Sequence, residues 1–323
     1  MKTIILKPDN NGINEAVRLL KSGEIAAIPT ETVYGLAANA LDPAAIEKIF
    51  IAKGRPRNNP LIVHVSDLEM AKGLGLEIPL LAEKLAEKFW AGPLTMIFKR
   101  KSPTVESRLP AEVSCGLDTA AVRVPAHETA LEIIKVCGFP LAAPSANASG
   151  SPSPTKARHV YDDLNGLIPL IIDGGECGCG VESTVIAFEA GRVRILRPGA
   201  VTPEQLQEFA EVIIDDVVLA DCQPSTVNRQ LPSPGTAHKH YSPKAQVIAV
   251  VAESEDAFLS YTAEADFIIA KPEANTFFAK LREFDNHGAK QIFIRLPEPK
   301  GIGLALYNRI IRAAEFNVIK AKE

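Results

Sequence analysis

Thr30, Glu31, Thr32 and Tyr34 place two hydroxyls, a carboxylate and a phenol within five residues of one another, directly behind the short apolar run 24–28. A capping turn, with Thr30 or Thr32 opening a following helix, is the plain alternative for that cluster. Lys53, Arg55 and Arg57 then set three cations in a stretch punctuated by Pro56 and Pro60. Held that close they repel one another unless an anion is present, although such a run can also be a solvated face. Arg123 alternates with Val122 and Val124, so it projects from the opposite face of a strand. Residues 145–155 are small, polar and proline-punctuated, and carry Ser145, Asn147 and Ser153. Hydroxyls, an amide and exposed backbone N–H groups are what a ribose and phosphates need, whereas a plain Ser/Pro linker would need none of them. With Ser183 and Arg197 further on, two chemical sets emerge. Lys53, Arg55, Arg123 and Arg197 are cationic, and Thr30, Thr32, Asn59, Ser145, Asn147, Ser153 and Ser183 bring hydroxyls or amides. Together they suit a triphosphate and a small polar co-substrate. Catalysis would then come from positioning and charge neutralisation, with a metal ion carried in on the phosphates.

The elements that must hold these groups alternate between strand and helix. Residues 11–22 carry Ile13, Ala16, Val17 and Leu20 at helical spacing and stop at Gly23. Run 24–28 reads as a buried strand ending at Pro29, and Pro29 to Gly35 as a shaped turn. Asp42-Pro43 opens a helix striped by Ile46, Ile49 and Phe50, which runs into the basic loop 53–60. Strands are expected at 61–65, 94–98, 120–124, 140–144, 168–172, 185–188 and 193–196, with helices over 78–89 and 128–136. Thr155 is expected to cap a helix running through Leu164. Thr202-Pro203-Glu204-Gln205 is a capping box with proline at the first helical position, and a strand near 212–218 closes the first unit. Nearly every polar cluster thus falls at a strand end, where open α/β sheets place their ligands. Residues 221–244 lack periodicity and hold four prolines, yet 233–243 are too basic and aromatic for a passive spacer. Beyond them, strands at 247–251, 267–270 and 291–295 alternate with helical stretches, the last over 304–314, as in a small α/β unit with a parallel sheet.

Composition narrows the function classes. At 323 residues, with 46% hydrophobic and 23% charged, the chain is long enough for two domains with full cores. No apolar run approaches a membrane span and residues 1–7 turn polar too soon for a signal peptide, so a cytoplasmic setting is expected. Five irregularly spaced cysteines argue against a disulfide framework, and Cys177-Gly178-Cys179 has no partnering pair for a metal site. The net charge of −4 gives no global attraction to nucleic acid. Neither a Walker loop nor G-x-G-x-x-G occurs, and no Ser-His-Asp or Cys-His order stands out.

The motifs PTETVYGL (29–36), KGRPRNNPLIVHV (53–65), GPLT (92–95), LDTAAVRVPAH (117–127), APSANASGSPSPT (143–155), DGG with GVESTV (173–185), LRPGAV (196–201) and PGTAHKHYSP (234–243) follow one another in an order that resembles the threonylcarbamoyl-AMP synthases with a YrdC-like domain, in their long form. The resemblance covers almost the whole chain. It implies an α/β fold, a YrdC-like twisted mixed sheet with flanking helices over 1–220, a linker or lid over 221–244, and a small Rossmann-like α/β domain over 245–323. It also implies a nucleotidyltransferase that makes threonylcarbamoyl-AMP and pyrophosphate from L-threonine, bicarbonate and ATP. The product would be handed to a tRNA-modifying transferase complex for threonylcarbamoyl-adenosine. Mg2+ would arrive on the ATP phosphates, with no ligands from the protein.

Carried over by motif, the resemblance implies that Thr32, His64, Arg123 and Ser183 contact threonine, with Thr119 and Ala143 lining its pocket. It implies that Arg55, Asn59, Ser145, Ser153, Arg197 and Tyr241 lie against ATP. Lys53, Arg55, Ser145 and Asn147 match the Lys-x-Arg and Ser-x-Asn signature of the reaction centre. In the linker, Ala237-His238 stands where members commonly show Lys-Tyr or Arg-Tyr. Two other readings compete: an RNA-binding module using a concave basic surface, and a carbamoyl-transferring relative with another acceptor. Against the first, the cations are mixed with hydroxyls and lack interleaved stacking aromatics. Direct tRNA contact stays open.

Overall fold

The computed structural model describes residues 1–101, 108–219 and 241–321. Its first helix, Asn10–Lys21, begins where the Asp9 carboxylate accepts a hydrogen bond from the Gly12 amide at 2.9 Å. Helix Pro43–Lys53 is built the same way, with Asp42 as its cap and proline at the first position. Gly54, at φ +59°, ends it in the left-handed conformation that glycine adopts without strain. Lys53 is therefore delivered on the last helical turn, where the macrodipole favours a cation.

Twelve described strands form one mixed sheet: β1 Ile4–Leu6, β2 Ala26–Ile28, β3 Gly35–Asn39, β4 Ile62–His64, β5 Leu76–Glu77, β6 Leu94–Arg100, β7 Thr119–Arg123, β8 Leu141–Ala142, β9 Leu170–Ile172, β10 Thr184–Glu189, β11 Arg192–Arg197 and β12 Val212–Ile214. Their order is β1-β9-β2-β3-β8-β4-β7-β6-β10-β11-β12, with β5 paired to β6. The β4–β7 and β6–β10 pairs are parallel, while β3 and β8 run antiparallel to their neighbours. One large core, including Leu36, Val63, Met96 and Val122, fills one side. A second core packs the helices Asn10–Lys21 and Glu128–Cys137 against β2, β9 and neighbouring strands.

Four further strands, β13 Gln246–Val251, β14 Ile268–Ile269, β15 Gln291–Arg295 and β16 Val318–Lys320, make a separate, wholly parallel sheet in the order β14-β15-β13-β16. Helices Phe277–Asn286 and Ile302–Ala313 contribute Phe277, Phe278, Leu281 and Ile310 to its core. The expected α/β architecture, a mixed sheet followed by a small parallel one, is what forms.

Local expectations differ in three places. The stretch after Gly35 is a strand, β3, because Ala26–Ile28 folds back on it as an antiparallel pair. The strand expected near 212–218 stops at Ile214, since Asp215 accepts from the Val217 amide and turns the chain into helix Asp216–Leu219. Thr155 does not cap the next helix. That helix is Ala157–Leu164 with Lys156 at its cap, and both the Thr155 amide and hydroxyl face His159 Nδ1. Most of the expected linker or lid, residues 221–240 of 221–244, lies outside the described residues. No described helix is long and apolar enough to cross a membrane.

Candidate active site

Strand register brings the predicted residues together. In the parallel β4–β7 pair His64 stands opposite Arg123, so imidazole and guanidinium leave the sheet side by side. The segment 29–34 leaves β2 and is stitched by backbone to the hydroxyl-rich loop: the Tyr34 amide donates to Pro154 O at 2.9 Å and the Ala146 amide to Tyr34 O at 2.8 Å. The Tyr34 hydroxyl donates to Gly175 O at 2.7 Å, docking the Asp-Gly-Gly turn on the same segment. Ser183 precedes β10 and Arg197 ends β11, its antiparallel partner. The result is one cleft lined by Thr30, Thr32, Lys53, Arg55, His64, Arg123, Ala143, Ser145, Asn147, Ser183, Arg197 and Tyr241.

Three predicted residues do not line it. Thr119 shares a face of β7 with Arg123 but stands four residues away, about 13 Å along the strand, with Ala121 between them. Asn59 supports the cleft instead, its carbonyl accepting from Arg55 Nε at 3.0 Å. Ser153 is buried behind the wall and donates its hydroxyl to Glu182.

Within the cleft each cation is already braced. The ammonium of Lys53 donates to Ser145 O at 2.5 Å, to Asn147 O, and to Asn147 Oδ1 at 3.3 Å. Its three donors are thereby committed to the 145–147 segment it was expected to share a reaction centre with. Ser145 Oγ donates to Asn147 Oδ1 at 2.6 Å, and Asn147 Nδ2 donates on to Ala148 O and Ser151 O, so the segment is rigid. Arg55 spends Nε and Nη2 on the carbonyls of Asn59 and Pro60. Arg197 holds both the carbonyl and the hydroxyl of Ser183 at 3.1 Å, and Thr95 lies 2.7 Å from that hydroxyl. Arg123 donates from Nε to Gly92 O and from Nη1 to Thr32 Oγ1, while Nη2 lies 2.6 Å from Glu31 Oε1. That last contact is close but not aligned as a hydrogen bond, so it is a charge pair that leaves N–H directions for another carboxylate.

Burial and mutual repulsion tune these groups. Burial, followed by the charge of Arg55, pushes Lys53 well below the usual ammonium range. Burial, with Arg197 adding to it, lowers Arg55 to about 10, and Arg197 is itself lowered, chiefly by burial. Burial, then Arg123, depresses His64 to about 3, so its imidazole is neutral. The His64 Nδ1 faces Ile62 O at 3.4 Å; a carbonyl only accepts, which assigns the proton to Nδ1 and leaves Nε2 as an acceptor.

Sequence reasoning counted Glu31 in the polar cluster but gave it no role, and it did not single out Glu182. Glu182 is the one carboxylate lining the cleft among the described residues, and both its oxygens are engaged: Oε1 by Ser153 and Oε2 by Arg309 at 2.8 Å. The Glu-Ser pair in GVESTV carried a signal, but its partner lies 127 residues away on another unit.

The family model for Sua5, YciO and YrdC proteins, described as telomere recombination, matches residues 18–199. A second, described as the threonylcarbamoyl-AMP synthase C-terminal domain, matches residues 201–315. The chain is 40% identical to a threonylcarbamoyl-AMP synthase of Pyrococcus abyssi, over 95% of each chain. It is 38% identical to one of Bacillus subtilis, over 98% of this chain and 96% of the other. Among solved structures, P. abyssi Sua5 complexed with L-threonine superposes with a TM-score of 0.89 at 38% identity, covering 99% of this chain and all of the other.

Proposed function

Since the chain belongs to the threonylcarbamoyl-AMP synthase family, we propose that its cleft condenses L-threonine, bicarbonate and ATP into threonylcarbamoyl-AMP and pyrophosphate. The observation that carries this reading is the convergence of four cations, Lys53, Arg123 and Arg197 buried and Arg55 half-buried, on one cleft whose only described carboxylate is neutralised from behind. Such a cleft is electrostatically short of anions, and a triphosphate together with an amino-acid carboxylate would supply them.

Arg123 takes the threonine carboxylate through its remaining N–H groups, displacing or sharing the charge of Glu31. Neutral His64 accepts from the threonine hydroxyl through Nε2, with Thr32 and Ser183 as further partners and Ala143 as apolar wall. The neutral threonine amine adds to the carbon of carbon dioxide and gives up a proton to solvent, or adds to bicarbonate with the C–O bond breaking and water leaving, and an oxygen of the resulting carbamate then attacks the α-phosphorus of ATP. A new P–O bond forms as the bond to pyrophosphate breaks. Arg55 and Arg197 balance charge on the phosphates, and Ser145 lies at their edge. Lys53 acts chiefly by holding Ser145 and Asn147 in place and by its field. Tyr241 covers the nucleotide. Mg2+ enters as part of the ATP complex, and the one carboxylate in the cleft is already spent on Ser153 and Arg309.

In this reading the product passes to a tRNA-modifying transferase in the cytoplasm. The cations are gathered in a cleft, not spread over a face with stacking aromatics, which favours a small-molecule site over the RNA-binding alternative. Purified protein should release pyrophosphate from ATP only when L-threonine, bicarbonate and a divalent metal are all present. Equal release without threonine would overturn the reading, and equal use of a different amine would point to the carbamoyl-transferring alternative.

A further inference from the structure

Both units meet at the hydroxyl-rich loop, and the smaller unit together with the end of the linker grips that loop at three points. Arg282, on helix Phe277–Asn286, donates to both oxygens of Asp163 at 2.8 Å and to Pro152 O at 2.5 Å. Asp163 in turn accepts from the Ala148 amide at 3.1 Å. The Ser242 amide donates to Gly150 O at 2.9 Å. The third contact is the deepest: Arg309, on helix Ile302–Ala313 and wholly buried, donates from Nε to Glu182 Oε2, while Glu182 Oε1 receives the Ser153 hydroxyl. The guanidinium of Arg309 also lies over the Tyr241 ring, 5.2 Å from its centroid.

Holding two units together does not call for a buried ion pair, because apolar side chains of similar volume do so at least as well. What the pair does here is local. It cancels the one carboxylate charge facing an anion site and aims that carboxylate at Ser153. Without Arg309, Glu182 would be a buried carboxylate with Arg197 as its next source of positive charge. Left uncompensated beside Arg197, that negative charge would offset its positive charge and repel a triphosphate. The threonine side is built chiefly on other elements, the 29–34 segment and the ends of β4 and β7, and the Ser183 hydroxyl keeps Thr95 at 2.7 Å whatever happens at Glu182.

We propose that Arg309 is a positioning residue for the nucleotide half of the site, tying the hydroxyl-rich loop behind the cleft through Glu182 and Ser153 and holding the Tyr241 ring with its own face. The smaller unit thereby completes the ATP pocket of the larger one. This rests on the reading that the cleft takes ATP beside threonine, and the experiment keeps the two apart. In the full-length chain, Arg309→Met should raise the KM for ATP tenfold or more while the calorimetric Kd for L-threonine stays within twofold. Adding Glu182→Gln should return most of the ATP affinity, because the uncompensated carboxylate is then gone. Arg309→Lys keeps the charge and loses the fork, so it should show an intermediate ATP defect, and it serves if Arg309→Met does not fold. An unchanged KM for ATP in either Arg309 variant, parallel loss of threonine and ATP binding, or no recovery in the double variant would overturn the proposal. A wild-type protein that releases no pyrophosphate in a threonine-dependent manner would instead overturn the synthase reading.

Discussion

Arg55 and Arg57 are two residues apart in one basic loop, and the fold gives them opposite fates. Arg55 faces the cleft with its pKa lowered to about 10 by burial, whereas Arg57 is exposed and paired with Glu47. Arg55→Ala should therefore cost on the order of 2–4 kcal/mol of transition-state stabilisation, read as a fall in kcat/KM for ATP. Arg57→Ala should stay within about 0.5 kcal/mol. Equal losses would mean a diffuse basic patch. His64 supplies a pH signature. Its pKa is about 3 in the fold against an ordinary 6.5, so between those values unfolded chains take up a proton that the native state excludes. The penalty is absent above 6.5, grows as pH falls and is complete below 3. Replacing His64 with Gln should flatten the loss of Tm on acidification across that window. In wild type, the threonine Kd should show no inflection near 6.5, since the imidazole is neutral throughout. An inflection there would place a protonated His64 in the pocket.

At the scale of elements, the hydroxyl-rich loop is rigid because it is held from both ends and from behind. The 29–34 segment and Lys53 fix its inner face, and Asp163 with Arg282 fixes its outer face. The Arg282–Asp163 pair is nearly buried, at 11% and 13% side-chain exposure, so removing one partner leaves a charge with little water to solvate it. Arg282→Ala should destabilise the protein by about 3 kcal/mol in chemical denaturation. It should also raise the KM for ATP more than the KM for threonine, because in the proposed reading the hydroxyl-rich loop that carries Ala148, Gly150 and Pro152 faces the nucleotide. A stability loss with both KM values untouched would reduce this clamp to simple docking.

At the scale of the molecule, the two sheets have separate cores yet share buried charge. Gly180, at φ +70°, lies against the smaller unit so closely that a Cβ there would stand 2.3 Å from Asn275 Cα. The Arg309–Glu182 and Arg282–Asp163 pairs would each be broken if one unit unfolded alone, leaving unpaired charges in the other. Thermal unfolding of the wild-type chain should therefore be one cooperative transition, with calorimetric and van't Hoff enthalpies in agreement. Combining Arg282→Ala with Arg309→Met should split it in two. Two transitions already present in the wild type would show that the units are coupled only weakly.

Much of this was legible in the sequence because it is written in local chemistry. The capped helices, the alternation around Arg123 and the proline-bounded polar loops depend on neighbours a few residues apart, and the ordered motifs pointed to the family. Where the chain order runs out, so did the reading. Thr119 sits in a matching motif but at the far end of its strand, and only the β4–β7 register tells the two ends apart. Ser153 matched a nucleotide contact, yet its hydroxyl is turned onto Glu182. The importance of Glu182 depends on Arg309, which in the sequence is one cation in an amphipathic helix. Lys53 reads as a free charge and proves to be the brace of the Ser145–Asn147 segment, 92 residues downstream. The sequence by itself determined most of the side chains the site would have and which elements would carry them. Only the tertiary structure decided which charges were already spent on one another, because the partner of a buried charge is set by how distant segments pack.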